Sequence, residues 1–229
     1  MSNQSKLAAL ASTGITKAEL DNIDGGTARG TTAIADGDGV LINDAGTMRM
    51  TSVETMATYM GTKIGGGMDF LASSGAISDG TASVIFNQFD ASKYDYYIFN
   101  ILSVVPVNDN VALGMQLSAD GTNYDTTNGN YHDTATDRTS LKISSEVGGA
   151  SGEIIGVNVE AKLWNVSSSS TNTCITSFGG YQNTAGNFLQ MAGFSNYQAS
   201  TAAHTAVKIL FSSGNIESGE ITMFGVVNS

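Results

Sequence analysis

The sequence has one cysteine and one proline in 229 residues. A single thiol, Cys174, excludes a disulfide within the chain and every paired-cysteine motif for metal or redox chemistry. Two interpretations stay open for it, a buried free thiol and a bridge between two chains. The scarcity of proline, together with 27 glycines, favours many short strands joined by tight turns over long helices or disorder.

Basic residues are also scarce, because 10 Lys and Arg stand against 21 Asp and Glu, for a net charge of -11. Nucleic acids and anionic lipid surfaces attract proteins through basic side chains, so neither is an expected partner. No apolar run approaches the roughly 20 residues that span a bilayer. The apolar stretch at 7–11 is too short for a signal-peptide core. We therefore expect a soluble chain, made in the cytoplasm without a signal peptide and not inserted in a membrane.

Residues 1–67 are the first predicted domain. They contain a weakly helical start, a β-hairpin over about 40–50, a short helix to about Lys63, and a glycine linker. Thr51 and Glu54 have the spacing of a capping box, which predicts that the helix begins there. So small a module can hardly bury a core alone, and we expect it to pack against copies of itself or another protein.

Residues 68–229 are the second predicted domain, in which apolar and aromatic runs alternate with turn-forming residues. The eight predicted strands lie near 83–89, 94–107, 110–118, 153–166, 172–181, 187–194, 206–212 and 220–227. Strict alternation, as in Val111, Leu113, Met115 and Leu117, is typical of strands with one buried face. The sequence therefore predicts a mainly β protein, with a C-terminal jelly-roll-like β-sandwich and a small N-terminal hairpin–helix module.

Asp36 and Asp38 suggest a calcium loop, because they alternate with glycine. An EF-hand loop needs acidic ligands at positions 1, 3 and 5 and a glutamate at position 12. Starting the loop at Asp36 puts Val40 at position 5, and placing Asp38 at position 5 puts Ala45 at position 12. Asp and Gly here are better explained as turn formers. We expect no metal and no cofactor, with these two aspartates as weak metal candidates.

Catalytic motifs are missing as well. The only histidines are His132 and His204, and there is no nucleophile elbow, phosphate-binding loop or zinc-protease motif. We therefore expect no enzymatic activity. A calcium-dependent lectin or a glycan hydrolase on the same sandwich is the least favoured alternative.

One predicted strand, near 94–105, is apolar or aromatic in both phases, so both of its faces need cover. Two explanations stay open, a central strand covered by a loop and an interface between subunits. The interface candidates are Tyr94, Tyr96, Tyr97 and Phe99.

Trp164 falls on the polar phase of another predicted strand, opposite Val157 and Val159. It is a candidate platform for stacking a sugar or an anchor in an interface. The alternative is a bulge that turns Trp164 into the core near the strand end.

The segment from Asp120 to Asp133 is the longest polar stretch and interleaves tyrosines with amides and carboxylates. Aromatic faces beside hydrogen-bonding groups suit sugar recognition, and the candidate contacts here are Tyr124, Asn130 and Tyr131. The alternative is a solvated connection whose tyrosines pack against the protein.

Several motifs resemble segments of tailed-bacteriophage fibres and related virion proteins. Residues 36–59 are similar to an N-terminal module of these proteins, and residues 90–106 to a segment leading from the first strands of their β-sandwich domains. Residues 117–124 match a turn of the form S-x-D-G-G-x-x-Y, with Thr122 in place of the second glycine. Residues 213–226 resemble a terminus of the form SGNI-x-SG-x-hydrophobic-x-LYG, with Met223 and Phe224 in place of Leu-Tyr.

The resemblance implies a virion structural protein, a homotrimer that attaches to tail or capsid proteins through its N-terminal module. It implies no enzymatic activity. We expect a short tail fibre that recognises host-surface glycan through its exposed sandwich. The alternative is a capsid-decorating head fibre or connector with purely structural contacts.

Overall fold

The computed structural model describes residues 31–63, 67–133, 136–149 and 154–227. The helical start predicted for residues 1–23 lies outside them. The chain divides into two units, one ending at Lys63 and the other containing the described residues from Gly67 onward. Within the described residues, no helix has the length and apolar character needed to cross a membrane.

The first unit is a β-hairpin followed by a helix. Strands β1 (Gly39–Asp44) and β2 (Thr47–Ser52) pair antiparallel across a two-residue turn. Ala45 and Gly46 both have positive φ, as the favoured tight hairpin turns require, and Gly46 N donates to Asn43 Oδ1 at 2.6 Å.

Helix α1 (Val53–Lys63) begins directly after the hairpin. Its N-cap is Ser52, whose Oγ accepts a hydrogen bond from Thr55 N at 3.1 Å. The prediction of a helix was correct, but the cap lies one residue after the predicted Thr51.

The second unit contains twelve described strands. They are β3 (Met68–Ser73), β4 (Val84–Phe86), β5 (Tyr94–Pro106), β6 (Leu113–Ser118), β7 (Tyr131–Asp133), β8 (Thr136–Arg138), β9 (Leu141–Lys142), β10 (Val157–Trp164), β11 (Cys174–Gln182), β12 (Phe188–Tyr197), β13 (Ala206–Phe211) and β14 (Ile216–Val227). All eight predicted strands are present among them.

These strands form two antiparallel sheets of unequal size. The larger has the order β3-β14-β5-β10-β11-β12-β7-β8, and the smaller has the order β4-β13-β6-β9. The predicted mainly β fold with a β-sandwich is confirmed.

The core lies between the two sheets. From the smaller sheet, Leu113, Met115 and Leu117 point inward and are at most 1% exposed, as their alternation predicted. From the larger sheet, Phe99 meets Phe86 edge to face, with ring centroids 5.5 Å apart.

Strand β5 is central in the larger sheet, with β14 on one side and β10 on the other. Tyr97 and Phe99 are 1% and 0% exposed, and Tyr94 is also buried. These three predicted interface residues therefore belong to the core of one chain, and their prediction as subunit contacts was wrong. The physical reason is that the four-stranded sheet covers this face. Only Tyr96 of the four points to the opposite, outer face.

Candidate functional site

The polar segment after β6 begins with a turn built on Asp120. Its Oδ1 accepts hydrogen bonds from the amides of Asn123 and Thr122 at 2.7 and 2.8 Å, and Oδ2 accepts one from Asn123 Nδ2 at 2.6 Å. These bonds, that from the Asn123 amide first, hold the pKa of Asp120 far below its usual range. Both oxygens of this carboxylate therefore accept hydrogen bonds within the turn.

Asp125 is the centre of a network that closes the segment. Its Oδ2 accepts hydrogen bonds from Asn130 Nδ2 at 2.6 Å and from the Tyr197 hydroxyl at 2.8 Å, and Oδ1 accepts one from Thr127 N at 2.8 Å. Burial raises the pKa of Asp125, but these bonds outweigh it and the pKa lies below 3.8. The side chain of Asn130, a predicted receptor contact, therefore holds the loop together.

Tyr131 anchors the same network to the sandwich. It is 0% exposed, its hydroxyl accepts from Leu117 N at 3.0 Å, and it donates to Asp125 O at 3.0 Å. A fully buried ring cannot touch a receptor, so the prediction of Tyr131 as a receptor contact was wrong. The strand β7 puts its side chain in the core.

Tyr124, by contrast, lies on a cavity of about 290 Å³. The Lys208 ammonium sits 4.6 Å from the centre of its ring. The Tyr124 hydroxyl is buried and has no hydrogen-bond partner among the residues that the structure describes. Asn123, Asp125, Ser200 and His204 also line this cavity, which therefore combines an aromatic ring with neutral polar groups and one carboxylate.

His204 is one of the residues that line this cavity. It is 5% exposed, its Nδ1 is 3.1 Å from Thr173 Oγ1, and its ring meets Tyr197 edge to face. Burial lowers the pKa of His204 below 6.5, more than the attraction of Asp125 raises it. The imidazole is therefore neutral at physiological pH and acts as a hydrogen-bonding group.

Trp164 lies on the outer face of the eight-stranded sheet, on the predicted phase. Its ring stacks on Tyr96 with centroids 4.2 Å apart and an angle of 24° between the planes. The indole Nε1 donates to Thr176 Oγ1 at 3.1 Å. Pairing with β5 runs without a break from Val159 to Trp164, so the alternative of a bulge turning Trp164 inward was wrong.

The predicted contact residues do not form one site. Tyr124 lies beside Lys208, which points outward from the four-stranded sheet, whereas Trp164 points outward from the eight-stranded sheet. Ser200 and His204 come from the segment between β12 and β13, far from Tyr124 in sequence. Only the fold brings them to its cavity.

Asp36 and Asp38 make the bonds of a turn. Asp38 Oδ2 accepts from Ala35 N at 2.9 Å, and Asp38 O accepts from Val53 N at 2.9 Å, which joins the turn to the helix start. In the described parts of the chain, no group of three His, Cys, Asp or Glu side chains is placed to hold a metal ion.

Comparison of the chain with family models, curated proteins and solved structures finds no match.

Proposed function

We propose that the chain is a structural protein of a tailed-bacteriophage virion, of the short tail-fibre type. It attaches to the particle through its N-terminal module and recognises host-surface glycan through its β-sandwich. The role is binding, without catalysis.

The observation that carries the recognition role is the cavity beside Tyr124. An aromatic ring next to amide, hydroxyl, imidazole and carboxylate groups suits the C–H face and hydroxyls of a sugar.

The attachment role is supported by the exposure of the first unit. None of residues 31–61 is buried. The exposed apolar side chains are Ile34, Leu41, Ile42, Met48, Met50, Tyr59 and Met60. A hairpin and one helix with so much exposed apolar surface are expected to be stabilised by a partner protein.

The homotrimer is supported by the outer face of the eight-stranded sheet. Phe70, Phe178 and Phe194 are exposed there by 63%, 64% and 53%, beside the Tyr96–Trp164 stack. Lys162 and Glu160 pair at 3.2 Å on this face and cancel each other's charge. A second copy can therefore approach this part of the face with little repulsion, although the chain has a net charge of -11.

The same apolar face favours the second candidate function, a capsid-decorating head fibre or connector. Apolar surface on this scale is typical of protein contacts and does not require a glycan. Only the Tyr124 cavity distinguishes recognition from a purely structural role.

Labelling of host cells tests the recognition role. Fluorescent full-length protein is expected to stain host bacteria, and removal of surface polysaccharide is expected to abolish the stain. Tyr124→Ala should weaken staining, while Ile85→Ala, an exposed apolar site on the smaller sheet, should not. If the wild-type protein does not stain cells, the recognition role is wrong and the head fibre or connector with purely structural contacts is favoured.

A further inference from the structure

A cavity of about 700 Å³ opens on the outer face of the larger sheet, where β10, β11 and β12 lie side by side. Asn158, Gly180 and Gln190 are direct partners across these three strands, on the same phase as Phe178, and all three line the cavity. Gly180, in the middle of this row, has no side chain, so the surface is open there. Other lining residues include Ile154, Ile155 and Phe188. We call this site the outer cavity.

A β-bulge bends the sheet beside the outer cavity. Opposite Val157 and Val159 of β10, the partner strand β5 carries one extra residue, and Ser103 there has a positive φ of 48°. Asn158 Oδ1 accepts a hydrogen bond from Ser103 N at 3.0 Å, and Asn158 Nδ2 donates one to Ile155 O at 2.9 Å. These bonds hold the segment with Ile155 against the sheet, so the cavity is already formed in a single chain.

The lining of the outer cavity favours an apolar occupant. Ile154 and Phe188 are 79% and 68% exposed. No charged side chain is present among the described residues that line the cavity. Both ends of the Asn158 amide are already bonded within the chain, so this side chain offers little to a polar ligand. Exposed apolar surface around a cavity of this kind is typical of a contact with protein.

An apolar patch at the edge of the same sheet is a suitable occupant. Phe70 and Met68 of β3 are 63% and 53% exposed, and the Phe70 ring meets Phe224 edge to face with centroids 6.0 Å apart. Asp69 has the opposite phase and pairs with Lys93 at 2.8 Å. In the described part of the chain, β3 is the last strand of this sheet, so no neighbouring strand keeps Phe70 from a second copy. We call Met68, Phe70 and Phe224 the edge patch.

Charge favours a second copy as the partner of these surfaces. The chain has a net charge of -11, so two copies repel each other over much of their surface. The edge patch carries no charge, and neither do the described residues that line the outer cavity. Contact between the two therefore removes apolar surface from water on both sides at little electrostatic cost.

Symmetry decides which aromatic side chain enters the outer cavity. Around a threefold axis, each copy meets its two neighbours through different patches, so the inserted side chain and the cavity must lie apart on one chain. Phe178 is only two residues from Gly180, beside the cavity of its own chain. Phe70 lies five strand spacings from Gln190, or roughly 24 Å. Phe70 can therefore enter the cavity of one neighbour while its own cavity is filled by the other.

We propose that Phe70 of each copy inserts into the outer cavity of a neighbouring copy, with Met68 beside it, and that three such contacts close a ring. The proposal rests on the homotrimer of the proposed function and adds the residues that form the contact. The outer cavity is complete only when a neighbour supplies Phe70.

Chemical cross-linking of the full-length protein tests this contact. Cys174, the only native cysteine, is first replaced by Ser, and Phe70→Cys and Gln190→Cys are combined in one chain. A short bismaleimide is expected to link such chains into covalent trimers, which a denaturing gel separates from monomers. Ile85→Cys with Gln190→Cys is the matched control, at a site 53% exposed on the smaller sheet, and should give no covalent trimer. Equal trimer yield from both pairs overturns the proposal.

Substitutions measure how much the contact contributes. Phe70→Ala should raise the dissociation constant of the trimer by about tenfold or more, because a buried aromatic side chain is lost from the contact. Ile154→Asp places a charge in the cavity at a highly exposed position and should have a similar effect without loss of folding. Ile85→Ala should leave the constant unchanged. Analytical ultracentrifugation measures the constant and circular dichroism checks folding. An unchanged constant in both Phe70→Ala and Ile154→Asp overturns the proposal.

The outcomes separate this proposal from the proposed function. A wild type with the mass of three chains, without covalent trimers from the Phe70→Cys and Gln190→Cys pair, overturns this contact and keeps the homotrimer. A wild type with the mass of one or two chains overturns the homotrimer and the contact together. Covalent trimers without staining of host cells support the contact and overturn the recognition role.

Discussion

The indole of Trp164 stacks on the ring of Tyr96, with centroids 4.2 Å apart, on the outer face of the larger sheet. The two residues are direct partners in the antiparallel register of β10 and β5. Cross-strand aromatic pairs of this kind stabilise a sheet and leave ring surface for a partner. This stack lies on the face that we propose for the contact between subunits.

Replacement of Trp164 by Ala is expected to destabilise the folded chain by about 1–3 kcal/mol, because the ring stack and its buried area are lost. Thr176→Val removes only the acceptor of the indole N–H and should cost less, about 1 kcal/mol. Urea denaturation followed by circular dichroism measures both. Equal stability of Trp164→Ala and the wild type would show that the stack contributes nothing.

Replacement of Tyr131 by Phe removes a hydroxyl that joins Leu117 N to Asp125 O. Because the Leu117 amide stays buried without an acceptor, we expect a loss of about 1–3 kcal/mol. Tyr124→Phe is the matched control, since its hydroxyl has no hydrogen-bond partner to lose in the described part of the chain. Thermal unfolding should separate the two variants, and an equal shift for both would refute the roles assigned to these hydroxyls.

Much of the fold could be predicted because the long strands alternate or are continuously apolar. Strands β7, β8 and β9 were not predicted, because strands of two or three residues are too short to show an alternation of apolar and polar side chains. The six-residue β3 begins directly after the glycine linker and was also missed.

The site could be predicted only in part. Composition marks the segment with Tyr124, Asn130 and Tyr131 as polar and aromatic, but cannot say which ring points inward. That depends on Leu117 and Tyr197, which meet the segment only in the folded chain. The same limit explains the central strand, where Tyr97 and Tyr96 point to opposite faces.

The stability of the protein is expected to fall as the pH drops below about 6.5, partly through His204. The pKa of His204 is lowered in the folded chain. As the pH falls, the unfolded chain therefore binds a proton at this imidazole before the folded chain does, and the free energy of unfolding decreases. His204→Gln should reduce this dependence. Urea denaturation over a series of pH values measures the slope, and an unchanged slope in the variant contradicts the role given to His204.

A charge on the outer face of the larger sheet is expected to dissociate the proposed trimer. Phe178→Asp places a carboxylate at a site that is 64% exposed in one chain. Ile85→Asp is the control, at a site 53% exposed on the smaller sheet. Light scattering should give the mass of three chains for the wild type and Ile85→Asp, and of one for Phe178→Asp. A monomeric wild type, or dissociation by Ile85→Asp alone, counts against this surface.

The central claim is that the chain is part of a virion, and immunogold electron microscopy of purified phage particles tests it most directly. An antibody against residues 68–229 is expected to label intact particles, with tail label for the fibre and head label for the decorating alternative. Particles that carry no label, although the antibody recognises the purified protein, would contradict the account.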